Sequence, residues 1–160
     1  MTVATVAFQL LIAFVSTLGF ALLFHLRPAL LAPACLGGLV TWAAYLACGQ
    51  FIDGVFFPCL IASVVAVSYA QLLAWRTGAP LAVFYILAEV PLIPGSGLFN
   101  TMSSMVGMDW SAAAAYGITT ATFVSAIALS IAAYAVAVGV KDVLVRRLAK
   151  TKSSQAADSR

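Results

Sequence analysis

The sequence predicts an all-α integral membrane protein with about five transmembrane helices. Of its 160 residues, 64% are hydrophobic and only 8% are charged, and the mean hydropathy is +1.09. A soluble domain has roughly 25% charged residues. The apolar runs are about 20 residues long, which is the length that crosses a bilayer as a helix. The fourth run contains a Pro-x-x-Pro-Gly motif at 91–95, so we expect the fourth helix to be broken there.

Short polar or helix-breaking segments divide the chain into its spans. These segments lie at 25–28, 50–53, 76–80 and 107–109. The predicted spans are 3–24, 29–49, 55–75, 81–106 and 112–140, and together they form one transmembrane domain, 1–140. A basic tail follows at 141–160. It is expected to continue the last helix for a few turns, and Ser153 to Arg160 are expected to be disordered.

Charged residues in the connections predict the orientation of the chain. Arg27, Arg76 and the basic tail occupy alternate connections, whereas Asp53 and Asp109 occupy the others. The positive-inside rule therefore places the N-terminus outside and the C-terminus in the cytoplasm. This assignment holds only if the broken fourth segment crosses the membrane, because a re-entrant segment would leave the tail outside.

The break in the fourth span is the best indicator of a binding site. Pro91 and Pro94 each remove a backbone donor and are expected to move Val90 and Ile93 out of the α region. Irregular backbone at membrane depth persists only where protein or a water-filled cavity satisfies its polar groups. Broken helices near the bilayer midplane commonly form the binding sites of transporters.

The glycines of this motif should permit a second half-helix to start within the membrane. Gly95 and Gly97 can adopt backbone conformations that other residues avoid, and we expect close backbone approach at Gly95. A half-helix that begins near Ser96 or Gly97 leaves its first amides unpaired, which favours a carboxylate ligand. The residues proposed to bind a small anionic or zwitterionic solute are Pro94, Gly95, Ser96, Asn100, Thr101 and Ser103.

Helical spacing places several of these polar side chains together. Asn100 is three or four residues from Ser96, Ser103 and Ser104, so these four residues share a helix face. The alternative is that their hydroxyls bond carbonyls of their own helix or a neighbouring helix, as Ser and Thr in membrane helices commonly do.

Glu89 is the only ionisable side chain well inside a predicted span. Burying an acid at mid-membrane costs about 2.5–3.5 kcal/mol on insertion scales, so such a residue suggests a function. No cation of this chain is placed to pair with it. Glu89 is therefore either protonated or paired with a cation of another subunit. It is a candidate for proton coupling, and the alternative is a neutral acid bonded to carbonyls freed by Pro91 and Pro94.

The sequence offers no support for enzymatic, metal or nucleic-acid chemistry. Cys35, Cys48 and Cys59 form no CxxC pair and have no neighbouring histidine, which is typical of packing residues. No HExxH or P-loop motif is present, and the only histidine, His25, is expected at the cytoplasmic surface. The net charge of +3 comes almost wholly from the tail. We therefore expect no catalytic residue, metal, cofactor or nucleic-acid partner.

Three segments together resemble a known family. They are Thr17-Leu-Gly-Phe-Ala-Leu-Leu-Phe24, Leu36-Gly-Gly38 and Pro91-Leu-Ile-Pro-Gly-Ser96. In this order they resemble the short membrane subunit of the threonine/serine exporter family, over roughly residues 8–140. The chain departs from the family pattern at Phe99, where members often have Tyr, and at Asn100, where they often have a basic residue. Glu89 is not part of the pattern.

The resemblance implies secondary export of small amino acids such as threonine and serine, or of dicarboxylates in related two-part systems. It also implies a longer companion subunit with five spans of its own and a location in the bacterial cytoplasmic (inner) membrane. Five spans are few for a complete carrier, so a half-transporter is predicted, and a higher oligomer is left open. The alternative is a structural or assembly subunit without a substrate pathway of its own.

Overall fold

Six α-helices and one 3₁₀ turn make up the part of the chain that the structure describes. The computed structural model describes the backbone of residues 3–158 and the side chains of residues 3–136. The helices are α1 (Val3–Leu23), α2 (Pro28–Cys48), α3 (Phe56–Thr77), α4 (Leu81–Glu89), α5 (Gly95–Val106) and α6 (Trp110–Asp158), with the 3₁₀ turn Val90–Leu92 after α4.

Four of these helices are long and apolar enough to cross a membrane: α1, α2, α3 and the Trp110–Val136 part of α6. The segments Leu81–Leu92 and Gly95–Val106 form a pair bent by 55°, which gives a fifth candidate span when the pair is counted as one. The chain is thus an all-helical, multi-pass membrane protein with four or five candidate spans. The last helix continues to Asp158, beyond the few turns expected and into the segment predicted to be disordered. It can do so because no proline or glycine interrupts residues 141–158. The side chains of the predicted basic tail, 141–160, lie outside the described residues.

Recognisable local signals end or begin the helices. Gly78 adopts a left-handed conformation (φ 68°), and its amide donates to Ala74 O at 2.9 Å, which closes α3. Asp109 precedes α6 and accepts hydrogen bonds from the Ala112 amide at 3.0 Å and the Ser111 hydroxyl at 2.8 Å. The Ala112 amide first, and then the Ser111 hydroxyl, lower the pKa of the exposed Asp109 carboxyl.

The core consists of two clusters, and α3 packs against α2, α4 and α6. The first core cluster surrounds the start of α4, and the second surrounds the 3₁₀ turn. The first is formed by Ala21, Ala34, Ala70, Phe84 and Leu87, and the second by Cys59, Ala62, Leu92 and Ala126.

Small residues allow α1 and α2 to approach closely. A Cβ added at Gly38 would collide with the side chain of Thr17, whose hydroxyl is already bonded to Ala13 O at 2.8 Å. A Cβ at Gly37 would lie 3.1 Å from the ring of Tyr69 on α3. These two glycines therefore bring α2 close to both neighbouring helices.

The backbone at the break differs in part from the prediction. Ile93 is extended (φ −63°, ψ 120°), as expected of a residue before proline. Val90 instead remains right-handed helical (φ −46°, ψ −46°), so its predicted departure from the α region was wrong. Pro91 is accommodated because the helix tightens into a 3₁₀ turn, which needs no amide donor from Pro91. This turn packs against α1 and α2.

Candidate functional site

The predicted solute-binding residues lie on or next to α5, the least buried helix. No residue of α5 is fully buried, and among the other helices α5 packs extensively only on α6. Ser96 and Ser103 are exposed and Asn100 is half-buried. None of these three side chains makes a hydrogen bond to another described residue, so they form an open polar strip.

Thr101 lies on a different strip of α5. Its hydroxyl donates to Gly97 O at 2.7 Å, within its own helix. Its methyl group lies on the side facing Gly117 of α6. The structure therefore separates Thr101 from the open strip of Ser96, Asn100 and Ser103, in line with the alternative that such hydroxyls bond their own helix.

The sequence predicted close backbone approach at Gly95, and this was wrong: the close approach occurs at Gly97. A Cβ added at Gly95 would meet no atom within 4 Å, whereas a Cβ at Gly97 would collide with the hydroxyl of Thr120 on α6. The rotation of α5 about its own axis determines which glycine faces α6. The sequence spacing of the two glycines does not determine that rotation.

The N-terminus of α5 presents free backbone donors. The helix begins at Gly95, and the Leu98 amide donates to Pro94 O at 3.0 Å, the first such bond of the helix. The amides of Ser96 and Gly97 have no acceptor in their own helix, and no side chain caps them. This is the geometry that suits a carboxylate group.

A second polar group, buried between helices, surrounds Glu89. The Glu89 side chain is only 6% exposed, and its Oε1 lies 2.5 Å from Ser63 Oγ of α3. Ser63 (0% exposed) is in hydrogen-bond contact with Ser130 of α6 (1% exposed). Ser130 Oγ in turn donates to Ile127 O at 2.8 Å. Helices α3, α4 and α6 therefore meet at one buried row of oxygen atoms.

Two further polar atoms at this site have no partner. Glu89 Oε2 and the Tyr85 hydroxyl are both buried without a hydrogen-bond partner among the described residues. Tyr85 lies beside Glu89, Ser63 and Ser130, and Cys59 is also near Glu89. The observed partner of Glu89 is the Ser63 hydroxyl. No bond to the carbonyls freed by Pro91 and Pro94 is found among the described residues.

Sequence reasoning identified Glu89 but missed the residues around it. In the sequence, Ser63 is 26 residues from its partner Glu89, and Ser130 is 67 residues from its partner Ser63. Serines are common in membrane helices, and no local pattern marks these two. Along the chain, Glu89 lies between Leu87 of the first core cluster and Leu92 of the second.

Two surface cavities lie elsewhere on the bundle. One of about 320 Å³ is bordered by α1, α2 and the 3₁₀ turn, and it contains the side chains of Gln9, Trp42 and Pro91. Gln9 Oε1 and Trp42 Nε1 are buried without partners among the described residues. The other, of about 760 Å³, lies where the α1–α2 and α3–α4 connections meet, beside His25 and Arg27.

A bundle of apolar helices with a broken segment, and with a buried carboxyl group that has no ion-pair partner among the described residues, is typical of multi-pass membrane proteins that handle solutes. The family model described as "Threonine/Serine exporter, ThrE" matches residues 9–137, so this chain belongs to the threonine/serine exporter family. The family assignment made from the three sequence segments is thereby confirmed, and it gives the chain a role in transport. No curated protein and no solved structure matches the chain.

Proposed function

We propose that this chain is one half of a secondary transporter in the bacterial cytoplasmic membrane. With a longer companion subunit, it exports threonine, serine or related small carboxylates. The observation that carries this proposal is the state of α5: it holds the candidate binding residues, yet it packs on one neighbour and has no buried residue. A binding segment that is open on most sides is expected to be completed by another subunit.

The open strip of α5 supplies the solute site in this proposal. The free amides of Ser96 and Gly97 would bind the carboxylate, and the side chains of Ser96, Asn100 and Ser103 would bind the remaining polar groups of the solute. Pro94 and Gly95 start the helix at this position. Thr101 contributes by holding α5 against α6.

The bent pair α4–α5 would cross the membrane as one span. In support, α4 begins in the first core cluster, beside the α1–α2 and α3–α4 connections, whereas α5 ends next to the start of α6. Counted together, the two segments are long and apolar enough to form one bent span. This arrangement fits an external N-terminus and a cytoplasmic C-terminus.

Glu89 would carry the coupling proton. Its carboxyl group is buried beside hydroxyls and has no cation partner within the described residues, so a change of its charge is costly and must be compensated by its surroundings.

Substitutions on the open strip test the solute site. Ser96→Ala and Asn100→Ala should lower solute affinity by roughly the value of one hydrogen bond each, about 0.5–1.5 kcal/mol, without changing the amount of assembled complex. Ser125→Ala, on the exposed side of α6, is the matched control. If these variants instead lower the amount of assembled complex and leave the flux per complex unchanged, the structural or assembly subunit is supported.

A further inference from the structure

Three hydrogen-bond contacts connect Glu89, Ser63 and Ser130 to the backbone of α6, and the number of protons available limits how they can be bonded. The contacts are Glu89 Oε1 with Ser63 Oγ, Ser63 Oγ with Ser130 Oγ, and Ser130 Oγ with Ile127 O. Each contact needs one proton between its two oxygens. The two serine hydroxyls supply only two protons, and the carbonyl supplies none. If all three contacts are hydrogen bonds at the same time, the third proton comes from Glu89.

We propose that Glu89, Ser63 and Ser130 form a switchable hydroxyl chain that holds one exchangeable proton and links Glu89 to α6. In the protonated form of this hydroxyl chain, neutral Glu89 donates to Ser63, Ser63 donates to Ser130, and Ser130 donates to Ile127 O. This proposal rests on the proposed role of Glu89 and adds to it the residues that sense the proton.

Loss of the proton reverses the direction of the hydrogen bonds that join Glu89, Ser63 and Ser130. The Glu89 O–H bond breaks and its proton leaves to water. The Ser63 hydroxyl then rotates to donate to the carboxylate, and the Ser130 hydroxyl rotates from Ile127 O to Ser63. Neither serine O–H bond breaks, so the unit changes by one proton and needs no other reactant. The unpartnered Tyr85 hydroxyl is placed to donate to Glu89 Oε2 in the ionised form.

The surroundings add no competing charge. The titratable side chains that face this group are Cys59 of α3 and Tyr85 of α4, and Tyr45 of α2 lies next to Cys59. Helices α1 and α2 and residues 110–136 of α6 contain no charged side chain. When Glu89 loses its proton, the neighbouring hydroxyls therefore stabilise the negative charge, and no ion pair does so.

The chain ends on the helix that supports the proposed solute site. Ser130 and Thr120 are both on α6, ten residues or roughly 15 Å apart, and Thr120 lies against Gly97 of α5. Rotation of the Ser130 hydroxyl changes the bonding of an α6 carbonyl. The proton state of Glu89 is thus transmitted to the helix on which α5 rests.

Infrared difference spectroscopy of the purified full chain in lipid nanodiscs tests the proposal. At neutral pH the wild type should show the carbonyl stretch of a protonated carboxylic acid, and Glu89→Gln should lack it. Raising the pH should remove this band with a defined midpoint. Absence of a band that depends on Glu89 would show that the proton count is wrong.

Two serine variants should shift this midpoint in opposite directions. Ser130→Ala removes the acceptor of the Ser63 proton, so Ser63 is free to stabilise the carboxylate, and the midpoint should fall by about 0.5–1 pH unit. Ser63→Ala removes the donor to the carboxylate, and the midpoint should rise by about as much. Ser68→Ala on α3 and Ser125→Ala on α6 are the matched controls, because their exposed hydroxyls bond only carbonyls of their own helices.

The Ser130 variant decides the matter even if Ser63→Ala fails to fold. A midpoint that is unchanged or raised in folded Ser130→Ala overturns the hydroxyl chain. The proposed function fails separately: if the midpoints shift as expected but Glu89→Gln retains full pH-coupled export, the hydroxyl chain is correct and the transport role of Glu89 is wrong.

Discussion

At the scale of single residues, Glu89 is the one acidic or basic side chain that is buried among the described residues. It is nearly inaccessible and has one hydrogen-bond partner, so a permanent negative charge there would be poorly compensated. A proton offsets this cost, and its release can be coupled to a change elsewhere.

Glu89→Gln tests that role. Glutamine retains the size and hydrogen bonding of the neutral acid but has no proton to release. We expect the substitution to remove the pH dependence of uphill export while leaving solute exchange largely intact. The measurement is flux in vesicles with a controlled pH gradient and matched protein levels. Full pH-coupled export by the variant would leave Glu89 as a structural residue.

The contact between Gly97 and Thr120 gives a second prediction at this scale. Gly97→Ala should force α5 away from α6 and lower the free energy of unfolding by about 1–3 kcal/mol, because the new methyl group meets the Thr120 hydroxyl. Thr120→Ala in the same chain should recover most of this loss. Gly95→Ala is the matched control, since its methyl group meets no neighbour. Equal destabilisation by both glycine variants in thermal unfolding would contradict the packing described.

Residue types and spacing predicted only part of the site. Glu89 could be found because a lone acid in an apolar span is conspicuous. Ser63 and Ser130 could not, because their proximity depends on how α3, α4 and α6 pack. The same holds for Gly97: either glycine of the motif could have faced α6, and the rotation of α5 decided between them.

At the scale of helices, close packing of α1 on α2 depends on Gly38. Gly38→Ala should separate these helices, because its methyl group collides with Thr17, and should destabilise the protein by about 1–3 kcal/mol. Gly19→Ala on α1 has open space around it and should be neutral or slightly stabilising. Thermal unfolding in detergent would compare the two, and an unaffected Gly38→Ala protein would argue against this interface.

Orientation is a separate prediction for the helices. Tags at Gln50 and Asp109 should be accessible from outside the cell, whereas tags at Arg76 and the C-terminus should not. The bent pair α4–α5 decides this result, since it reverses the side of everything that follows it. An inaccessible Asp109 with an accessible tail would show that the pair is re-entrant.

Helix positions could be predicted well because apolar runs and their breaks depend on local sequence. The observed starts and ends of α1, α2 and α3 lie within two residues of the predicted spans. The conformation of Val90 could not be predicted in this way. The usual restriction before proline was overridden when the helix tightened into a 3₁₀ turn that packs against α1 and α2.

At the scale of the whole molecule, α5 differs from the other helices because none of its residues is buried. Helices α1 to α4 enclose the first core cluster, while α5 exposes the apolar side chains of Leu98, Phe99 and Met102 as well as its polar strip. A chain with this asymmetry is expected to be completed by a partner, and the proposed companion subunit would cover α5 and close the solute site.

The most direct test of this account is reconstitution of the two subunits in vesicles, separately and together, with flux measured under an imposed pH gradient. If this chain is half of a transporter, neither subunit alone should move threonine or serine faster than empty vesicles do. The two subunits together should export the solute at a rate set by the pH gradient. Robust transport by this chain alone would contradict the half-transporter account and would leave a homo-oligomeric carrier as the transporter model.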